Sequence, residues 1–164
     1  MFPLTLFAVY VALLSTVTAQ TPIYTSASAQ RAAVDNVLSF DANAIPPVAL
    51  GGGVTARAGN VANFPSLALP DVNMAFNLVR FPPGSTVPGH IHPRGTELIF
   101  NVRGRQQHTI TQEAGVGTPL VFDSRPGVYQ AIPEGLPHIT KCVGKRMCVF
   151  AASFNTADPG ILFL

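Results

Sequence analysis

Glycine and proline recur so often along this chain that every regular element is limited to a few residues. The 164 residues include 14 Gly and 15 Pro, which are spread over the sequence rather than gathered in one linker. Both residues disfavour helix interiors, so long helices are not expected beyond the N-terminal segment. Short β-prone runs lie between these breaks, and their spacing predicts an all-β antiparallel sandwich or barrel. The predicted strands are Met74–Phe81, Glu97–Arg103, Gln106–Thr111, Leu120–Asp123, Val128–Ile132, His138–Cys142, Met147–Phe154 and Ile161–Leu164.

The composition and charge of the chain exclude two broad classes of protein. Hydrophobic residues make up 48% of the sequence and charged residues only 11%, which is too apolar for a disordered chain. The formal net charge is +2, and no stretch concentrates basic residues into a stripe that could follow a phosphate backbone. The sequence therefore predicts a folded protein that does not bind nucleic acid.

The N-terminal residues have the pattern of a secretory signal. The chain is almost wholly apolar from Leu4 to Leu14, and Val17 and Ala19 are the small residues that signal peptidase reads. We therefore expect residues 1–19 to be a signal peptide. The mature protein is then secreted to the extracellular space or cell wall, with no membrane segment. The apolar run is too short to span a bilayer. The alternative to a signal peptide is a buried N-terminal helix.

Composition divides the rest of the chain into two parts. Residues 20–50 are rich in Ala, Ser, Thr and Pro and are expected to form an N-terminal arm. Residues 51–164 hold the β-prone runs and are expected to form one domain of ordinary size.

Two short windows contain three of the four histidines. His90 and His92 are two residues apart, so on an extended strand both imidazoles leave the same face. A Pro/Gly turn then allows Glu97 to join them from the next strand, and a second such turn precedes His138. Burying this set without a metal would leave lone pairs poorly satisfied. The pattern therefore favours a metal site over hydrogen-bonded core histidines and a solvated Glu97.

The chemistry of these donors narrows the choice of metal. Neutral imidazoles and a carboxylate without a thiolate suit Mn²⁺ or Fe²⁺ in an octahedral site, which leaves positions for water, oxygen species or a bidentate substrate. Zn²⁺ would accept the same ligands in a closed tetrahedral site. The residues alone leave these three metals open.

Two cysteines, Cys142 and Cys148, flank the segment VGKRM. A hairpin turning about residues 144–146 would place them opposite each other on antiparallel strands, at a separation that suits a disulfide. The alternative, two separate buried thiols, stays open, because closing so small a loop gains only about 2 kcal/mol.

Two features are expected on the outer surface. If Glu97 points into the barrel, then Leu98, Phe100 and Val102 point outward, and aligned apolar side chains on an outer face need cover. Either an extension of the other sheet or a neighbouring subunit must cover them, and together with the apolar segment ILFL this favours a homo-oligomer. The remaining histidine, His108, lies in the polar segment RQQHTITQE and is expected at the surface.

The windows GSTVPGHIHPRGTELIFNVRG and GVYQAIPEGLPH resemble the two motifs of the cupins, and the stretches HIHPRGTEL and FNTADPGILFL are similar to those of germins and spherulins. The resemblance runs from about Val54 to Leu164. It implies a single cupin jelly-roll barrel that holds Mn²⁺ through four ligands, His90, His92, Glu97 and His138. The chain departs from germins in lacking a cysteine pair near the mature N-terminus, and Cys142 stands where the second motif usually has Asn.

The resemblance also bears on the substrate. In germin oxalate oxidases two asparagines line the substrate cavity; Asn77 matches one of them, and Val87 stands in place of the other. Asn77 is therefore the candidate catalytic residue, although a strand amide satisfied by its neighbours explains it equally well. Val87 removes a donor that would orient an oxygen-rich dianion, which disfavours oxalate.

Two functions from different classes follow. In the first, the protein is a redox enzyme whose manganese binds a small carboxylate such as oxalate, or superoxide. In the second, the metal only stabilises an extracellular structural or binding protein, since an ion that binds only the native state adds to its stability. Metal analysis followed by oxalate and superoxide assays distinguishes the two.

Overall fold

A computed structural model describes residues 39–112 and 117–164 of the protein. The strands of this part are β1 (Val48–Gly51), β2 (Val54–Gly59), β3 (Ala75–Phe81), β4 (Thr86–Ile91), β5 (Glu97–Arg103), β6 (Gln106–Ile110), β7 (Leu120–Ser124), β8 (Tyr129–Ile132), β9 (His138–Cys142), β10 (Cys148–Phe154) and β11 (Leu162–Phe163). Two short 3-10 turns, Ala42–Ala44 and Pro65–Ala68, accompany them. None of the helical segments in the described ranges is long and apolar enough to cross a membrane.

The strands form two antiparallel sheets of a jelly roll, as predicted. The six-stranded sheet has the order β1-β2-β3-β10-β5-β8, and the five-stranded sheet has the order β11-β4-β9-β6-β7. Each run predicted from the sequence matches one of these strands to within one residue at either end. The buried apolar side chains of both sheets form one core, in which Phe81 and Phe150 meet edge to face with ring centroids 5.8 Å apart.

The sheet begins earlier than the sequence indicated. Val48–Gly51 pairs with Val54–Gly59, so the last residues of the predicted arm belong to the six-stranded sheet. Gly52 and Gly53 turn the chain between these strands with φ values of 56° and 76°, a region that glycine enters without strain. The strand was missed because it is only four residues long, ends in Gly51 and is followed at once by two more glycines.

The described part of the predicted arm, residues 39–47, packs on the barrel. The ring of Phe40 lies 5.2 Å from that of Phe64 and 5.9 Å from that of Phe76. Arg57 donates hydrogen bonds to the backbone carbonyls of Asn43 and Ile45. The rest of the predicted arm, residues 20–38, and the predicted signal peptide lie outside the described residues.

The strand that carries Glu97 has the predicted alternation. Glu97 is only 3% exposed, whereas Leu98 and Val102 are 42% and 46% exposed on the outer face. Phe100 lies beside them, with its ring 4.5 Å from that of Tyr129 on the neighbouring strand. The outward orientation is confirmed, and the homo-oligomer that would cover this face stays a prediction.

Cys142 and Cys148 are joined by a disulfide with their Cα atoms 5.7 Å apart. The predicted hairpin between them is wrong, because Cys142 ends β9 in the five-stranded sheet and Cys148 begins β10 in the six-stranded sheet. The intervening loop crosses from one sheet to the other and is held by Arg105, whose carbonyl accepts from the backbone N–H groups of Val143 and Gly144. The disulfide therefore links the two sheets.

Candidate metal centre

Four buried donors meet between the two sheets. His90 lies near the end of β4, His92 follows that strand, Glu97 begins β5 and His138 begins β9. One ligand atom from each residue lies within 4.8 Å of the ligand atoms of the others, and all four side chains are buried. The structure thus brings together the four residues that the sequence analysis singled out as metal ligands.

An irregularity in β4 sets which side chains face this centre. Val87 is paired with Thr140 and His90 with His138, so three steps on β4 oppose two steps on β9. In a regular strand Val87 and His90 would point to opposite faces, because successive side chains alternate. The extra residue turns both inward, and Val87 is 3% exposed.

Backbone carbonyls fix the orientation of all three imidazole rings. The Nδ1 atoms of His90, His92 and His138 lie 2.8, 2.6 and 2.9 Å from the carbonyl oxygens of Pro88, Gly160 and Leu136. A carbonyl oxygen can only accept, so each Nδ1 carries the proton and donates it. The Nε2 lone pairs are then free to face the centre, which is the arrangement typical of histidines that bind metals.

Burial keeps the rings of His90 and His92 neutral. Desolvation, with a smaller contribution from the neighbouring His138, lowers the pKa of His90 from 6.5 to about 4. Desolvation also lowers the pKa of His92, against the opposing effect of Glu97. Both rings are therefore uncharged at neutral pH, and a neutral imidazole is the form that a metal ion requires.

Three atoms that could bind a metal ion face one another at the centre. The Nε2 atoms of His138 and His92 lie 3.1 and 3.6 Å from Oε2 of Glu97. Neither contact has hydrogen-bond geometry, so these three buried atoms have no hydrogen-bond partner within the described part of the chain. Unpaired buried nitrogen and carboxylate atoms are costly. A divalent cation would satisfy all of them at once, so the residues fit a metal ion.

The family of the chain follows from its sequence profile. The profile of the Cupin family matches residues 42–163, which is most of the chain. The chain belongs to the cupin family. The match begins before Val48, in agreement with the early start of the sheet.

Similar proteins place this cupin near germins. It is 36% identical over 123 residues to germin-like protein 3-5 of Oryza sativa subsp. japonica, covering 71% of this chain and 54% of that protein. It is 38% identical over 106 residues to oxalate oxidase 1 of Hordeum vulgare, covering 64% of this chain and 52% of that enzyme. The cupin thus spans about half the length of these relatives.

Solved structures agree with the fold. A structure of an oxalate oxidase superposes with a TM-score of 0.71 and 30% sequence identity, covering 79% of this cupin and 65% of that chain. An oxalate decarboxylase of Bacillus subtilis superposes with a TM-score of 0.67 at 20% identity over 74% of this cupin and 30% of that chain. At 20% identity, the second comparison supports a shared fold and nothing further.

The C-terminal segment supports His92 from a distance of 68 residues along the chain. Gly160, whose carbonyl accepts from the ring, has a φ of 64° and lies so close to Arg94 that a Cβ would be 2.8 Å from Nη2 of the guanidinium. Arg94 in turn donates to Asp158 at 2.8 Å. The sequence analysis did not assign this role to Gly160, although the quoted stretch FNTADPGILFL contains it.

A cavity of about 400 Å³ opens onto the donors of this cupin. Asn77, the candidate catalytic residue, and Val87 both line it, together with His90, His92 and Glu97. Asn77 lies between Ala75 and Val79 on the inward side of β3, so its amide can meet a bound molecule.

His108 is buried, not exposed as predicted. It is 1% exposed, and its Nδ1 lies 3.0 Å from Oγ1 of Thr140, while Nε2 has no hydrogen-bond partner among the described residues. The prediction followed the polar character of the segment and overlooked the alternation of the strand. His108 is two residues from Ile110, a buried core residue, so both point inward.

The burial of His108 predicts a loss of stability in acid. Desolvation lowers its pKa from 6.5 to about 4, so the unfolded chain binds the proton more readily and stability falls as the pH drops from 6.5 toward 4. Between pH 7 and 5 the free energy of unfolding of the metal-free parent should fall by about 2 kcal/mol more than that of His108→Gln. Urea denaturation at both pH values measures this, and equal losses would contradict it.

Proposed function

We propose that this cupin is a secreted, manganese-dependent oxidoreductase that acts on a small carboxylate. The observation that carries the proposal is the set of three imidazoles and one carboxylate that borders a cavity, with ligand atoms that lack a hydrogen-bond partner among the described residues. The similarity to oxalate oxidases supports a carboxylate as the substrate. Secretion rests on the sequence of residues 1–19.

Each part of the site has a distinct task in this proposal. His90, His92, Glu97 and His138 would hold the manganese, and the backbone carbonyls behind the rings keep their Nε2 atoms directed at it. A bound manganese ion supplies redox chemistry and coordination positions for oxygen ligands. The apolar walls lower the local dielectric constant, which strengthens the electrostatic interactions beside them.

Asn77 and Val87 adjust this site to its substrate. Asn77 offers an amide donor that would orient one carboxylate oxygen, while Val87 offers none. A substrate with several charged oxygens would therefore find hydrogen-bond donors for only some of them. Superoxide is the second candidate substrate, because it requires an open position on the metal and no extended set of donors.

Activity assays on the manganese-loaded protein test the proposal. Oxalate oxidation and superoxide dismutation should be measured at full manganese occupancy and compared with the same protein after chelation. We expect turnover of at least one substrate class that depends on the metal. Background rates with oxalate, with superoxide and with small 2-hydroxy acids such as glycolate would contradict the proposal. That result would favour a non-enzymatic, metal-loaded extracellular protein.

We also propose that the mature protein is a homo-oligomer. Leu98 and Val102 are exposed beside the Phe100 and Tyr129 ring pair, and together they form an apolar outer face on the six-stranded sheet. Burial of such a face against a second copy would remove it from water.

A further inference from the structure

The cavity above the metal centre is larger than a small dianion needs. Its volume of about 400 Å³ falls in the range of about 300–1,000 Å³ that pockets for organic ligands occupy. Oxalate consists of two joined carboxylates and no other group, so it would fill only the part nearest the donors. The remaining space would be left to water against apolar walls.

The walls of this space are apolar on nearly every side. Strands β1, β2, β3, β4 and β10 and the C-terminal segment all contribute small, aliphatic or aromatic side chains. Among them are Leu50, Ala56, Ala58, Val79, Phe150 and Ile161. Such walls favour a ligand with a hydrocarbon body, and the amides of Asn60 and Asn77 are the uncharged polar side chains of the lining besides the histidines.

The described lining of the cavity offers no cation to a second carboxylate. Such a group would lie without an ionic partner among apolar walls. None of the described residues that line the cavity is Lys or Arg, and Asp158 at its edge is already paired with Arg94.

We propose that the site takes a monocarboxylate with an oxygen on the adjacent carbon and an apolar side chain, that is, a 2-hydroxy or 2-oxo acid with a hydrocarbon body. This inference rests on the proposed function, since the two vicinal oxygens would occupy the open positions of the metal. The hydrocarbon body lies in the part of the cavity bordered by Ala58 and Val79.

A series of 2-hydroxy acids tests the proposal by binding alone. Isothermal titration of the manganese-loaded full chain should compare oxalate with glycolate, 2-hydroxybutanoate and 2-hydroxy-4-methylpentanoate at neutral pH. Each methylene that enters the cavity should tighten binding about fourfold, the factor that corresponds to about 0.8 kcal/mol per buried methylene. The branched acid should bind most tightly of the four.

Two matched variants locate the hydrocarbon body. Ala58→Leu fills part of the cavity and should abolish the increase in affinity with the length of the acid while leaving manganese binding unchanged. Ala131→Leu makes the same change at an exposed position on β8 and should keep this increase in affinity. Unchanged manganese binding also shows that Ala58→Leu is folded.

The outcomes separate this proposal from the proposed function. The inference would be overturned if affinity does not rise with the length of the acid's hydrocarbon body, or if it is highest for oxalate. Neither result would contradict the metal centre. Equal binding of the branched acid to manganese-free protein would overturn the chelating role of its oxygens. A parent protein that takes up no manganese before any acid is added would instead refute the metal centre itself.

Discussion

Replacing His92 with alanine is expected to lower the affinity of the protein for manganese by roughly a hundredfold or more. Loss of an outer partner of a ligand typically costs about 10–100-fold in metal affinity, and His92 is one of the four donors themselves. At a manganese concentration one hundred times the dissociation constant of the parent, the ion stabilises the parent by about 2.7 kcal/mol and a variant of hundredfold weaker affinity by only about 0.4 kcal/mol. The melting temperature should therefore respond to manganese in the parent far more than in the variant.

The control for this variant must separate metal loss from a packing defect. The ring of His92 lies 4.6 Å from that of Phe154, so its removal also leaves a hole in the core. His108→Ala removes another buried imidazole that lies outside the donor set. It should destabilise the fold and still bind manganese as tightly as the parent. Undiminished manganese affinity in His92→Ala would sink the ligand assignment.

Replacing Val87 with asparagine should improve oxalate turnover or affinity by about one to two powers of ten. A hydrogen bond to a charged oxygen contributes about 1.5–3 kcal/mol, and the new amide would act together with Asn77 on the cavity wall. Val87 is buried and faces the cavity because of the extra residue in β4, so its replacement can reach a bound ligand.

Oxalate oxidation by parent and variant should be compared at matched manganese occupancy and acidic pH. Val102→Asn is the matched control, because it makes the same substitution at a side chain that is 46% exposed on the outer face. It should leave oxalate turnover unchanged. Fast turnover by the parent that Val87→Asn does not alter would show that Val87 is no obstacle to oxalate.

The clustering of His90, His92, Glu97 and His138 could be predicted from the sequence because most of their arrangement is local. His90 and His92 are two residues apart near the end of one strand, and Glu97 begins the next after a short turn. The alternation of a strand then sets their common face. The same reasoning placed Leu98 and Val102 on the outer surface, where they are half exposed.

Features that depend on long-range pairing were harder to predict. The segment between Cys142 and Cys148 was predicted to be a hairpin, because the sequence does not show that this loop crosses from one sheet to the other. The support of His92 by Gly160 joins residues 68 positions apart. The extra residue in β4 is visible only from its register against β9. His108 differs from these, since the alternation with Ile110 was already in the sequence.

The number of manganese ions bound per chain tests directly whether the four clustered side chains form a metal centre. The purified full chain should be dialysed against manganese, freed of unbound ions by gel filtration and analysed for metal by mass spectrometry, with circular dichroism to show that it is folded. The four donors predict about one manganese ion per chain, lost when the histidines are protonated in acid. A folded, β-rich protein that retains no manganese after this treatment would contradict the account.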